Sequence, residues 1–223
     1  MSPSKVGWLL VAAVAGMGCR GAADPAATPA PQPAVVDARG SAAGSAVVEP
    51  PPENPEHPLP KAPLYDLTAT LADVNGAPVP FDTWRGHPTV IAMFYATCKL
   101  ACPVLIDEIK AFQEGLPAAQ RDALRVLLIS FDATRDTPAA MRALTDAHHL
   151  DLTRWRLVTA PEASARELAA VLGVKYRALD DGEYFHTSVV TLVDGNGVAV
   201  ARIEGLGRSA APLVAAMAKL TGP

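Results

Sequence analysis

The stretch FYATCKLACP, residues 94–103, decides the fold, because it carries the chain from a buried strand into a helix with a cysteine on each side of the junction. Just upstream and overlapping it, Thr89 to Tyr95 (TVIAMFY) is a continuous apolar run of strand length. Downstream, Cys102 to Leu116 places Leu105, Ile109 and Phe112 at helical spacing. Cys98 then sits at the end of a central strand and Cys102 one turn further on, with both sulfurs able to face the same side. Residues four apart on a helix have Cα atoms about 6 Å apart, inside the range of roughly 4.4–6.8 Å that a disulfide tolerates. The unpaired N–H groups and positive dipole end of the helix favour thiolate, which makes Cys98 both a nucleophile and a ready metal ligand. A purely structural disulfide is the alternative use of the pair. The spacing is C-x-x-x-C rather than the C-x-x-C of dithiol oxidoreductases. Two thiolates supply half of a soft-metal site and suit Cu(I), so a third donor has to come from elsewhere in the chain.

Working outward, Arg125 to Phe131 (RVLLISF) reads as a second buried strand, and Asp136-Thr137-Pro138 opens a helix with Asp136 as the N-cap and an early proline. That helix runs through Met141 and Leu144 to His148 and His149. Glu162 to Leu172 is a further helix closed by Gly173, Ser188 to Val193 and Val198 to Ile203 flank the hairpin signal Asp194-Gly195-Asn196-Gly197, and Ser209 to Leu220 is a terminal helix. Before the cysteines, Leu64 to Val79 alternates around Asn75-Gly76 and predicts a short N-terminal hairpin. Parallel crossovers followed by an antiparallel pair give an α/β class: a thioredoxin-like fold, a central mixed sheet flanked by helices, with the hairpin as an extension. Pattern alone also allows other three-layer α/β folds; the cysteines favour the thioredoxin-like one.

The first third differs in composition from the rest. Lys5 precedes an apolar run from Val6 to Gly18, followed by Cys19. Thirteen residues are too few to span a membrane, which needs about 20, and match a signal-peptide core. Cys19 after Gly16-Met17-Gly18 resembles a bacterial lipobox, with Gly16 where leucine is usual, and marks residues 1–18 as a lipoprotein-type signal and Cys19 as the lipidated residue. Ordinary cleavage and an uncleaved anchor are the other outcomes; each exports the domain to the periplasmic face of the bacterial envelope. Residues 19–61, rich in Ala, Pro, Gly and Ser with Pro50-Pro51-Pro52, lack periodicity and read as a disordered tether, leaving 62–223 as the folded domain. A net charge of −4 with no Lys/Arg cluster excludes nucleic acid as a partner.

Of the five histidines, His57 falls in the tether, His87 in a Gly-His-Pro turn, and His148 and His149 at a helix end where they complement its dipole. His186 is different: it immediately precedes the Ser188 to Val193 strand, and in a thioredoxin-like sheet that loop lies beside the dithiol helix. It is the candidate third donor.

FYATCKLACP, SFDATRDTP (130–138) and YFHTSVVTLVDGNG (184–197), in that order, resemble the three signature blocks of the Sco/SenC family, over essentially the whole domain from Leu64 to Leu220. The resemblance implies that Cys98, Cys102 and His186 are copper ligands, that Cys98 and Cys102 form a redox-active pair, and that the protein acts in maturing the dinuclear copper site of cytochrome c oxidase subunit II. Implied partners are that subunit, a periplasmic thioredoxin-like reductant or a copper donor, and the membrane through the lipid anchor. Asp132 and Asp136 fall in the family's D-x-x-x-D-T-P block. Two positions depart: Lys99-Leu100-Ala101 stand where the family often has an acidic or amide residue, and Phe185 where Asp or Asn is common. A metallochaperone and a thiol-disulfide oxidoreductase use the same dithiol, and a requirement for His186 separates them. A peroxiredoxin-like peroxidase lacks its P-x-x-x-T-x-x-C arrangement here, and a lipoprotein domain that only binds partners leaves the three blocks unexplained.

Overall fold

The computed structural model describes residues 58–221. The signal segment, Cys19 and the tether up to residue 57 lie outside the described residues. A 3-10 turn (Leu64–Asp66) leads into β1 (Leu71–Asp73) and β2 (Pro78–Val79); then follow β3 (Thr89–Phe94), α1 (Ala101–Gly115), α2 (Ala118–Ala123), β4 (Arg125–Ser130), α3 (Pro138–Ala147) and β5 (Trp155–Thr159). The chain continues through α4 (Glu162–Leu172), β6 (Tyr176–Ala178), β7 (Tyr184–His186), β8 (Val189–Val193), β9 (Ala199–Glu204) and α5 (Ala211–Thr221).

Seven strands form one mixed sheet in the order β2-β1-β5-β4-β3-β8-β9. β3, β4 and β5 are parallel, with Val90 opposite Val126 and Val126 opposite Trp155, while β8 runs antiparallel to β3 and β9 antiparallel to β8. Every residue of β3 and β8 is buried, which is why both read as unbroken apolar runs rather than alternating ones: a strand covered on both faces has no solvent side. α1 turns Cys102, Leu105, Ile106, Ile109, Phe112 and Gln113 inward. Trp155 Nε1 donates to Gln113 Oε1 at 3.0 Å, tying that helix to β5. Ile106 has no exposed surface, and truncating such a side chain to alanine costs about 2–5 kcal/mol through lost transfer energy and the cavity left behind. The sheet thus fixes the end of β3, and α1 is pinned to it just beyond the cysteines.

The N-terminal hairpin exists but is shorter than the alternation suggested. Its pairing is confined to Leu71↔Val79 and Ala72↔Pro78, and Leu64–Asp66 is a turn whose Leu64 N–H donates to Gly197 O at 2.8 Å. That contact explains Gly197: its φ of +84° is left-handed, and a Cβ there would lie 2.6 Å from Tyr65 Cγ. Four elements were not anticipated: β5, α2 and the short strands β6 and β7. β5, whose WRLVT sequence mixes Arg156 and Thr159 with apolar residues, inserts as a third parallel strand, and α2 is a six-residue helix with no buried residue. The helix-opening triplet also differs from expectation. Thr137, not Asp136, is the N-cap of α3, its side chain accepting from Ala140 N–H. Asp136 is 1% exposed and turned inward.

Candidate metal and dithiol site

β3 stops at Phe94, and the chain crosses to α1 through a turn in which Cys98 N–H donates to Tyr95 O at 3.2 Å. The residue preceding α1, Leu100, supplies no side-chain cap. Cys98 Sγ takes that part, accepting the Cys102 N–H at 3.3 Å, so one of the orphan donors of the first turn ends on sulfur. Both cysteines are free thiols, Cys102 at 1% exposure and Cys98 at 8%. The Cys102 thiol donates to the Cys98 sulfur and holds the Cys98 pKa well below the usual thiol range, helped by backbone N–H groups and His186 against the opposing effect of burial. The same bond and deeper burial push Cys102 upward. Cys98 is thus the thiolate and Cys102 the proton holder.

His186 does not sit in a loop, as expected from its place before β8, but ends β7. β6 and β7 form a separate two-stranded ribbon in which Tyr176 pairs with His186 and Ala178 with Tyr184. This ribbon brings His186 Nε2 to 4.0 Å from Cys102 Sγ, with Nδ1 3.4 Å from Thr187 O. Sulfur and nitrogen atoms of Cys98, Cys102 and His186 all lie within 4.8 Å of one another, the one such donor group among the described residues. Two metal–donor bonds of about 2.3 Å cannot hold their atoms more than roughly 4.6 Å apart. Three donors around one ion lie closer still, roughly 4 Å apart, so the trio fits a single soft metal once its widest separation closes by somewhat under an ångström. The other described histidines stay apart from the cysteines. His148 caps α3, its Nδ1 3.5 Å from Asp107 Oδ1, and His149 follows it at a φ of 51°.

A second set of residues holds the ribbon over the dithiol. Arg135, in the β4–α3 connection, pairs through Nε with Asp132 Oδ2 and donates from Nη1 to Gly182 O at the ribbon's turn. Its guanidinium also lies 5.1 Å from the Tyr184 ring centre and 5.7 Å from that of Tyr95. Tyr95 O–H donates to Glu183 Oε2 at 2.8 Å. The His186 ring is edge-on to Tyr95 at 5.7 Å, and Phe131 stacks on Tyr176 at 4.5 Å. Asp136 works on the other side of the site. Its Oδ2 accepts from Ala96 N–H at 2.8 Å and Ser130 Oγ–H at 2.5 Å, which ties the strand end before Cys98 to the end of β4. Burial raises its pKa. Of these residues only the two aspartates stood out in the sequence; Arg135 lay unremarked between them, and its ribbon partner is a backbone carbonyl that no residue type announces.

The SCO1/SenC family model matches residues 62–222. The chain belongs to the SCO1/SenC family. A curated relative, a Stutzerimonas stutzeri protein provisionally named for copper binding, is 31% identical over 72 residues, a match covering 32% of this chain and about a third (35%) of that protein's length. The structure of Bradyrhizobium japonicum ScoI with copper bound is 26% identical, covers 68% of this chain and 96% of that one, and superposes with a TM-score of 0.55. BsSco, described as a member of the Sco family of cytochrome c oxidase assembly proteins in which a disulfide switch was identified, shares the fold at a TM-score of 0.60 and 18% identity, covering 72% and 96% of the two chains. The fold is thioredoxin-like, the one among the three-layer α/β folds that the cysteines at the strand-to-helix junction favoured. Within this SCO1/SenC domain the two departures noted above face outward: Leu100 is 82% exposed and Phe185 52%. No helix among the described residues is long and apolar enough to cross a membrane.

Proposed function

We propose that this SCO1/SenC protein is a metallochaperone whose cargo is one copper ion, held by Cys98 Sγ, Cys102 Sγ and an imidazole nitrogen of His186, for the dinuclear copper site of cytochrome c oxidase subunit II. The convergence of two thiols and one imidazole within 4.8 Å carries the reading. Thiolates select Cu(I), and imidazole extends the site to Cu(II). Copper entry releases the Cys102 proton, so affinity rises with pH, whereas Cys98 is already poised as thiolate. The copper-bound ScoI supports the same ligand chemistry here. Lipidation at Cys19 and the segment up to residue 61 keep the domain near a membrane-bound acceptor.

The thiolate at Cys98 favours a second reading, a thiol-disulfide reductase that keeps the acceptor's copper-binding cysteines reduced and is recharged by a periplasmic thioredoxin-like reductant. An anaerobic copper titration followed by absorption spectroscopy, on wild type and His186→Ala, separates the two. A metallochaperone shows one copper per chain with thiolate charge-transfer absorption for Cu(II), and His186→Ala weakens binding and oxidase maturation under limiting copper while still reducing a model disulfide. Full oxidase assembly by His186→Ala under limiting copper would leave the reductase as the function.

A further inference from the structure

A cleft of about 580 Å³ opens over the site, and Cys98, Lys99, Leu100, Arg177, Phe185 and His186 are among its lining residues. Its walls are unusual for a surface that faces water. Leu100 is 82% exposed and Phe185 52%. Two of the five exposed large hydrophobic residues in the described region therefore line the cleft over the dithiol. Apolar side chains scattered singly need no explanation, whereas apolar side chains gathered at one opening mark an interaction surface.

Charge narrows the partner. Lys99 and Arg177 are exposed and pair with no carboxylate among the described residues. The Arg177 guanidinium lies over its cross-strand neighbour Phe185, 5.7 Å from the ring centre. Glu183, the carboxylate that lines the cleft, is engaged by the Tyr95 hydroxyl. Asp180 and Asp181 belong to the ribbon's turn and do not line it. On a chain of net charge −4, the lining of the opening is thus largely apolar and carries two cations against one carboxylate. A two-fold pairing of this face with itself would set like charges opposite each other, which disfavours a second copy as the occupant.

We propose that the cleft docks an extended protein segment bearing apolar and acidic side chains beside its own cysteine, and so selects which thiol reaches Cys98. This rests on the reading of Cys98 and Cys102 as a working dithiol. In the oxidised protein the segment's thiolate attacks Cys98 Sγ; a bond forms between those two sulfurs, the Cys98–Cys102 bond breaks, and the electron pair leaves on Cys102, which takes up a proton. One disulfide is consumed and one formed, with no outside oxidant. Cys98 is the sulfur attacked because it is the more exposed of the two.

The test uses the full chain with its disulfide formed and two synthetic peptides, Leu-Glu-Cys-Glu-Leu and Leu-Lys-Cys-Lys-Leu. Each rate of mixed-disulfide formation is divided by that peptide's rate on a small aromatic disulfide, which removes differences in intrinsic thiol reactivity. The acidic peptide should be favoured about tenfold at low salt, and the preference should shrink as salt screens it. Lys99→Glu with Arg177→Glu should reverse the order, and Leu100→Ser with Phe185→Ser should slow both peptides severalfold. 2-Mercaptoethanol, whose thiolate carries one charge and no flanking side chains, should be affected far less than the peptides by either pair of substitutions. Equal normalised rates for the two peptides, or a preference that survives charge reversal, would overturn the proposal. So would a dimer that Leu100→Ser with Phe185→Ser dissolves, which would make a second copy the occupant. Failure of wild type to react with 2-mercaptoethanol would instead remove the dithiol reading beneath it.

Discussion

Replacing Arg135 by alanine tests how the imidazole is held over the sulfurs. The substitution removes the ion pair with Asp132, the hydrogen bond to Gly182 O, and a cation 5.1 Å and 5.7 Å from the rings of Tyr184 and Tyr95. Asp132 is 3% exposed but the Arg135 side chain is 36% exposed, so solvent screens the pair from the guanidinium side and its contribution falls short of a fully buried one. A hydrogen bond to a charged group contributes about 1.5–3 kcal/mol and each partly exposed cation–ring contact about 0.5–1 kcal/mol. Allowing for screening and shared desolvation, the expected loss is about 3 kcal/mol, which in a domain of this size lowers Tm by about 6–12 °C. The Gly182 and Tyr184 contacts, roughly half of that, act on the ribbon. A loss of about 1.4 kcal/mol in docking changes the docked-to-undocked ratio about tenfold, which sets the upper limit on the drop in Cu(II) affinity. The decisive assay is a double-mutant cycle with His186→Ala, reading copper affinity and Tm together. Arg135→Ala should cost Tm in both backgrounds and copper affinity in the His186 background alone. Equal affinity losses in the two backgrounds, or an unchanged wild-type Tm, would refute the idea that Arg135 acts through the ribbon.

Four further outcomes follow from the geometry. In the reduced protein, iodoacetamide should label Cys98 well before Cys102 and keep doing so at pH values where an ordinary thiol is protonated, because the bond from Cys102 lowers Cys98; mass spectrometry of the labelled peptides gives the answer, and preferential labelling of Cys102 would contradict it. Asp136 has a folded pKa raised by burial above 3.8, so the native state binds the extra proton between the two values, and stability should decline as pH rises from about 4 through the folded pKa. Urea unfolding from pH 4 to 8 should show that decline in wild type, flattened in Asp136→Asn. Gly197→Ala forces a Cβ at a φ of +84° to within 2.6 Å of Tyr65, and should cost about 2–4 kcal/mol in chemical unfolding. Deleting residues 25 to 55 should leave Tm and copper stoichiometry unchanged while impairing oxidase maturation; a large drop in Tm would argue against their role as a tether.

How legible each part was depended on where its signal lay. β3 and β4 could be read because both faces are covered, so Thr89–Phe94 and Arg125–Ser130 carry continuous apolar runs. β5 could not, since Arg156 and Thr159 break its run; Arg156 Nη1 donates to Thr83 Oγ1 and its guanidinium stacks 4.8 Å from the Trp84 ring, contacts that exist only after folding. β6 and β7 are three residues each and half exposed, too short for any periodicity. The approach of Cys98, Cys102 and His186 was legible because two of them straddle a strand-to-helix junction and the third precedes a recognisable strand. Asp136 was misassigned for a local reason: both members of Asp136-Thr137 can cap a helix. The choice was made by tertiary structure, which offers Asp136 the Ala96 amide and the Ser130 hydroxyl and leaves Thr137 for α3.

The ribbon's separation from the main sheet has a mechanical consequence. Both sulfurs are rooted in the junction of β3 and α1, built on the buried seven-stranded sheet, whereas the imidazole rides on two short strands outside that sheet. Three donors of unequal compliance make a claw with one hinged finger. If the protein hands on copper as proposed above, the finger would yield first under load from a competing acceptor, and the acceptor's own donor could step into the place it vacates before either sulfur lets go. Cargo would then change hands without ever being held by fewer than two donors, and the side from which the acceptor arrives would be the side on which the finger lifts.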